Sequence, residues 1–555
     1  MNVLNFLEKT STKYPDKICV DDGKKTLTFA ELNHKAKCIG AILQDKIAIR
    51  KPIVILAEKS ADVLATMMGV VYAGDYYVMV DPSQPASRLQ GILQVLGAEL
   101  VITNAEGEKL LAEAGYQHVV EMLENLTGKN LTVATNDIVI ENQHSKEQKQ
   151  SSVNSDSNRV AKRNISTAVV LNTTHLRLNE LTPQDILYCL FTSGSTGTPK
   201  AIAVSHQCVM DFIPHFAKEF DFTAEDIIGN QAPFDFDVSV KDIYTSFYTG
   251  AKMILIPREY FSTPPLLLDL ICDKEVTNLT WAVSALTMIS ALKGFKYRVP
   301  DKIKRVMFSG EVMPDKQLKI WQEAIPDAQF VNLYGPTEIT CNCTFYKIQG
   351  KWHENDQDKL PIGQAFEGRR VFLLDENDKV IEPQNPFYQS GEICVTGESV
   401  ALGYINNPSE TAKRFVFYDF EKQQVVDAAN VSASYTYRTG DLGYWGADGL
   451  LYFNGRKDFQ IKHMGHRIEL EEIEAAFQKI SGVDKCCCFM DEKRNRLVGF
   501  YMGDAMEDEM KEQLKISLPV YMVPHTIRKL EALPLTKNGK TDRAKLKQMY
   551  QEKQI

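Results

Sequence analysis

The sequence predicts an α/β protein with a parallel sheet in its body and a small α+β domain in its last hundred residues. Three observations carry this prediction. Lys51 to Ala57 (KPIVILA), Ser60 to Ala73 and Tyr76 to Val80 read as strand, helix and strand, a spacing that calls for a crossover and hence parallel pairing. The last hundred residues hold shorter elements of mixed type. At 555 residues the chain also exceeds what a single hydrophobic core sustains.

Further along, Leu187 to Thr192 is an apolar run of strand length that empties into a polar loop. Near the end, Glu469 to Ile480 (ELEEIEAAFQKI) has helical spacing, Lys485 to Met490 and Leu497 to Met502 read as strands, and Glu507 to Ile516 as a second helix. One stretch breaks the composition. No aromatic residue lies between Tyr116 and Tyr188, where the average of 9% would place about six. Its middle, 142–164 (NQHSKEQKQSSVNSDSNRVAKRN), has no periodicity and cannot bury a core, so it is expected to be a disordered, exposed insertion.

Composition excludes several functions. The net charge is -9 and no basic, aromatic-interleaved block occurs, so no nucleic-acid partner is expected. Mean hydropathy is -0.23, with no apolar run long enough to span a bilayer and no basic-then-apolar leader. A cytoplasmic protein with no membrane partner is the expectation. The eleven cysteines show neither CxxC pairs nor zinc spacing, and read as reduced, mostly buried thiols.

Chemistry is concentrated in the loop after Leu187 to Phe191. Thr192, Ser193, Gly194, Ser195, Thr196 and Gly197, followed by Lys200, combine glycines that let backbone approach a phosphate with hydroxyls and N–H groups that donate to it. The spacing is not that of a Walker A loop, because the glycines are too close and the lysine follows Pro199.

This loop resembles that of the adenylate-forming superfamily, and further motifs follow in the family's order: Asn332-Leu-Tyr-Gly-Pro-Thr-Glu338, Gly391 to Gly397, Tyr437-Arg-Thr-Gly-Asp-Leu-Gly443, Asn454 to Lys462, Arg467 to Glu474, and Leu533 to Arg543. Within it, the chain is most similar to amino-acid adenylation domains of the nonribosomal peptide synthetase type and to D-alanine carrier-protein ligases. The resemblance implies ATP and Mg²⁺ as cofactors, formation of an aminoacyl-AMP with release of pyrophosphate, and transfer to the phosphopantetheine thiol of a separate carrier protein. A D-alanine ligase of cell-wall modification and an acyl-CoA synthetase are the alternatives.

Residue by residue, the resemblance implies that Glu338 holds the metal, Thr337 and the Thr192/Ser193 loop contact phosphate, and Tyr334 stacks on adenine. Asn332, Leu333, Gly335 and Pro336 complete that motif. Asp441 would accept the ribose hydroxyls, and Phe453, Asn454, Gly455 and Arg456 would close around the nucleotide. Lys540 would bridge the substrate carboxylate and the α-phosphate. Asp458 would be the hinge between a body of residues 1–457 and a mobile cap of residues 458–555.

In Phe234-Asp-Phe-Asp-Val-Ser-Val-Lys-Asp-Ile-Tyr244, alignment to the family pattern selects Asp237, whose carboxylate would pair with an α-ammonium. Its alternative is a helix N-cap. Lys241, Met307, Ser309, Leu333, Cys341 and Asn342 resemble the rest of the substrate pocket. Inward, Lys241 favours an acidic or strongly polar side chain; outward, it snorkels to water, and the sequence leaves both directions open. The similarity to D-alanine ligases implies a small side chain, which conflicts with an inward Lys241. Met464 stands where an arginine is common, which removes a charge near the face used for thiol transfer.

Overall fold

The computed structural model describes residues 2–127, 130–134, 137–141, 169–171, 177–194, 199–352, 359–383, 389–427, 433–535 and 541–553. The predicted strand, helix and strand are Pro52–Leu56, Ala61–Tyr72 and Tyr76–Val80. The two strands pair in parallel and are buried along their whole length, which is why they read as unbroken apolar runs. Ser60 caps the helix by accepting the Val63 N–H at 3.1 Å.

These strands sit inside a seven-stranded sheet that also holds Leu100–Thr103, Ile186–Thr192 and Lys200–Ser205. A nine-stranded sheet contains the parallel neighbours Asn278–Ala282, Arg305–Ser309 and Gln329–Tyr334. The third large sheet is antiparallel and is organised around the 13-residue strand Ala433–Trp445. One core cluster joins buried residues of all three sheets, and a second surrounds Trp281 and Trp321.

After Lys457 the architecture changes. Gln460–His463 and His466–Glu469 form a two-stranded hairpin, followed by the helix Leu470–Gln478 and a three-stranded sheet of Val483–Asp491, Arg496–Gly503 and Thr526–Lys529. Among the described residues no sheet contains strands from both sides of Lys457. These later elements enclose their own apolar cluster around Ile473, Phe477, Leu497 and Met522. The expected helices and strands of this region are all present, and the fold is the α/β body with a small α+β addition that the sequence predicts.

All eleven cysteines are free, and Cys486, Cys487 and Cys488 are buried. The expected insertion at 142–164 lies outside the described residues. Its flanks hold something periodicity did not reveal: Asn130–Ala134, Asp137–Glu141 and Val169–Leu171 pair as a small antiparallel sheet. Among the described residues no helix is long and apolar enough to cross a membrane.

Candidate functional site

Strand Gln329–Tyr334 ends in Gly335 and Pro336, and the chain turns through Thr337–Ile339. Thr340 and Cys341 both adopt positive φ, 57° and 73°, which folds the chain back on itself. A Cβ on Gly335 would lie 2.6 Å from the Asn342 Cα, so only glycine permits this approach. The fold-back is closed by the Cys343 N–H donating to the Tyr334 carbonyl at 2.8 Å.

Tyr334 donates its hydroxyl to Asp441 Oδ2 at 2.5 Å, and Asp441 also receives the Arg456 guanidinium. The Phe453 ring lies 6.4 Å from that of Tyr334, and Asn332 is fixed by donating to the Pro361 carbonyl at 2.7 Å. The structure therefore brings Tyr334, Asp441, Phe453 and Arg456 together, with Asn332 and Leu333 on the strand that ends at Tyr334. Gly455 adopts φ 94° next to Arg456. The Asn454 side chain turns elsewhere, to Ser390 and Lys359.

Glu338 is fully buried, and its carboxylate accepts the Tyr404 hydroxyl at 2.8 Å and one Arg467 nitrogen at 2.8 Å from each oxygen. Burial works to raise this carboxyl, but the Arg467 charge together with the hydrogen bonds the carboxylate accepts holds it below its usual range. The residues after Lys457 also reach the phosphate-type loop. Ser193 donates to the Arg467 carbonyl at 2.7 Å and accepts the Glu469 N–H at 3.0 Å, and the Gly194 N–H donates to Glu472 at 3.1 Å. Glu472 in turn pairs with the buried Arg88 at 2.6 Å, and the Gly465 N–H donates to Glu311 at 2.7 Å.

Thr192 and Lys200 face each other across adjoining strands, but the Lys200 ammonium pairs with Glu410 at 2.9 Å rather than joining the loop. The nearby carboxylate neutralises a lysine that has little access to water. Ser195, Thr196, Gly197 and Lys540 lie outside the described residues. Arg467, Glu472, Arg88 and Lys462 are not among the residues that the sequence selects. Arg467 and Glu472 sit in the quoted Arg467 to Glu474 motif and Lys462 ends the quoted Asn454 to Lys462 motif, which are the available signals.

Asp237 occupies the N-cap position of the helix Val238–Thr249 but makes no side-chain cap. Its Oδ2 accepts the Thr337 hydroxyl at 2.8 Å instead, so the capping alternative is not realised. Burial raises its carboxyl, opposed chiefly by Lys241. One helical turn on, Lys241 is 1% exposed and donates to Asn342 Oδ1 at 2.6 Å. The direction that the sequence left open is inward. Met307, Ser309, Leu333 and Cys341 are all buried, and the Cys341 thiol donates to the Asp237 carbonyl at 3.2 Å. A cavity runs from Asp237 and Thr337 past Met79 and Leu190 to His466 and Tyr521.

Among the described residues no group of three or more His, Cys, Asp or Glu could hold a metal. A single carboxylate nevertheless suits Mg²⁺, which keeps most of its shell as water and phosphate oxygens. Glu338 already balances a cation, the Arg467 guanidinium, so its charge and burial fit the role.

The family described as AMP-binding enzyme matches residues 7–405, and the AMP-binding enzyme C-terminal domain matches 472–540. The chain is 28% identical to the D-alanine--D-alanyl carrier protein ligase of Bacillus cytotoxicus, over 98% of this chain and 99% of that one. It is 29% identical to a mycosubtilin synthase polypeptide of Bacillus subtilis over 98% of this chain, which spans only 19% of that protein's length. The solved Vibrio cholerae adenylation domain AlmE, in complex with glycyl-adenosine-5'-phosphate, superimposes with a TM-score of 0.78 at 21% identity, over 99% of this chain and 98% of that one.

Proposed function

Because the chain belongs to the AMP-binding enzyme family, we propose that it activates an amino acid with ATP as an aminoacyl-AMP, releases pyrophosphate, and passes the acyl group to the phosphopantetheine thiol of a carrier protein. The observation that carries this reading is the buried Asp237 carboxylate, one hydroxyl away from the nucleotide motif through Thr337. A buried carboxylate needs a cationic partner, and an α-ammonium supplies one beside the acid to be activated. The relatives named as carrier-protein ligases support the transfer step.

In this reading Asp237 anchors the amine and so aims the α-carboxylate at the Thr337 hydroxyl and the Ser193–Gly194 loop. Tyr334 and Asp441 hold adenine and ribose. Glu338 would hold Mg²⁺, which when bound neutralises charge on the phosphates. Lys540 acts where the carboxylate meets the α-phosphate. Arg467 and Glu472 occupy the carboxylate and the loop N–H that the metal and the phosphates require, so the C-terminal cap must move for adenylation. Asp458 is its hinge. The arrangement described above is then the one suited to the second step.

Amino-acid-dependent exchange of pyrophosphate into ATP, over a panel that includes both alanine enantiomers, tests the first step, and intact-mass detection of a loaded carrier tests the second. Asp237→Ala should abolish exchange with amino acids. Exchange that survives that substitution with simple carboxylic acids would instead identify an acyl-CoA synthetase.

A further inference from the structure

We infer that Lys59 is a positioning residue for amino-acid activation: it fixes the segment that carries Asp237 and so sets how well the site holds the substrate amine. The inference rests on the activation proposed above. Lys59 lies just beyond the strand Pro52–Leu56 of the seven-stranded sheet, one residue before Ser60, the cap of the helix Ala61–Tyr72. From there its ammonium reaches across to the nine-stranded sheet, at the end of the strand Ile227–Asn230. It donates to the Asn230 carbonyl at 3.0 Å, to Asn230 Oδ1 at 2.9 Å, to the Gln231 carbonyl at 2.9 Å and to the Ala232 carbonyl at 3.3 Å.

Three of these acceptors are consecutive carbonyls that converge on one point, an arrangement that a cation holds together. The Asn230 carbonyl also accepts the Ile256 N–H at 3.0 Å, but among the described residues those of Gln231 and Ala232 accept from Lys59 alone. The turn that leaves the sheet toward Asp237 is thus shaped by this ammonium.

A second connection runs through the side chain of Asn230. Fully buried, it accepts Lys59 on Oδ1 and donates from Nδ2 to Asp242 Oδ2 at 2.9 Å. Asp242 belongs to the helix Val238–Thr249, whose N-cap position is Asp237. Lys59 therefore grips residues 231–237 from both ends, the strand directly and the helix by way of Asn230. The helix start needs this support, because Asp237 gives its carboxylate to Thr337 and makes no side-chain cap to the first-turn N–H groups.

Stability alone does not account for the arrangement. Among the described residues no carboxylate pairs directly with Lys59; burial works against its charged form and Asp242 works for it, while Asp242 also answers Lys241. An ammonium met mainly by neutral oxygens is a weak source of stability. Its distinctive property is that one atom holds three carbonyls and an amide in register. The consequence falls on Asp237, whose carboxylate has to meet the Thr337 hydroxyl and, in the proposed reaction, the α-ammonium.

The test is pyrophosphate exchange on the wild type with the standard amino acids and D-alanine, followed by KM for the best of these and for ATP on Lys59→Met and Lys59→Gln. Lys59→Met should raise KM for the amino acid about 10- to 100-fold, the range of one charge-assisted hydrogen bond, and leave KM for ATP within about 2-fold of wild type. Lys59→Gln keeps N–H donors without the charge, so its KM for the amino acid should rise about 3- to 10-fold, and it carries the test should Lys59→Met fail to fold. A folded variant with wild-type KM for the amino acid, or with both KM values raised equally, overturns the inference and leaves amino-acid activation standing. So does a maximal rate that falls only with the folded fraction, as circular dichroism reads it. Exchange with no amino acid on the wild type overturns both.

Discussion

Replacing Arg467 with alanine removes the guanidinium that satisfies both oxygens of Glu338. The Glu338 side chain is 1% exposed and that of Arg467 14%, so the pair is screened little by water. With Arg467 gone, the carboxylate keeps the Tyr404 hydroxyl but no cation among these contacts. Breaking a buried pair in this way costs about 3–5 kcal/mol, which lowers the population of the present cap arrangement about 10²- to 10⁴-fold. In the proposed mechanism the loss falls on this arrangement alone, because there adenylation frees Glu338 from Arg467. Single-turnover transfer from preformed aminoacyl-AMP to the carrier should therefore drop steeply while pyrophosphate exchange persists, and limited proteolysis between Lys457 and Gln460 should accelerate. Equal loss of exchange and transfer, or wild-type transfer with unchanged proteolysis, would refute the reasoning.

Three further outcomes are expected. Burial works to raise the Asp458 carboxyl, but Arg456 and Arg414 outweigh it and hold it at about 2. A carboxyl depressed in the folded state contributes stability above its unfolded value near 3.9 and loses it as pH falls toward 2. Asp458→Asn should thus cost about 1–2 kcal/mol at pH 6, allowing for partial exposure, with the difference in melting temperature vanishing near pH 2. Gly335→Ala places its Cβ 2.6 Å from the Asn342 backbone, so calorimetry should show a loss of about 1–3 kcal/mol and exchange should show a raised KM for ATP. Cys272 is the one cysteine that is not buried, so a thiol reagent should label it first in the native protein, as peptide mapping can read.

The parts of the fold legible in the sequence are those whose environment repeats along the chain. Pro52–Leu56 and Tyr76–Val80 are covered on both faces and so appear as apolar runs, and Leu470–Gln478 buries one stripe and so appears with helical spacing. Asn332 to Glu338 are legible because they form one contiguous strand end and turn. What escapes is created by distance. Arg467 meets Glu338 across 129 positions and Arg88 meets Glu472 across 384, and no local pattern encodes either pairing. The direction of Lys241 is hidden for the same reason, since its partner Asn342 lies 101 residues away. The pairing of Asn130–Ala134 with Asp137–Glu141 is missed because that stretch lacks the aromatic residues that usually mark strands.

Arg456 holds two carboxylates at once: Asp441 on its own sheet, and Asp458 at 2.6 Å just beyond the end of its strand. One guanidinium is thus a common arm between the two acids that the proposed mechanism makes the floor of the nucleotide site and the joint that follows it. Its charge is divided between the two acids, and whatever a bound ribose draws from Asp441 is returned to Asp458. In the proposed mechanism, filling the site would then stiffen the joint and emptying it would slacken the joint, with Arg456 as the link between the two.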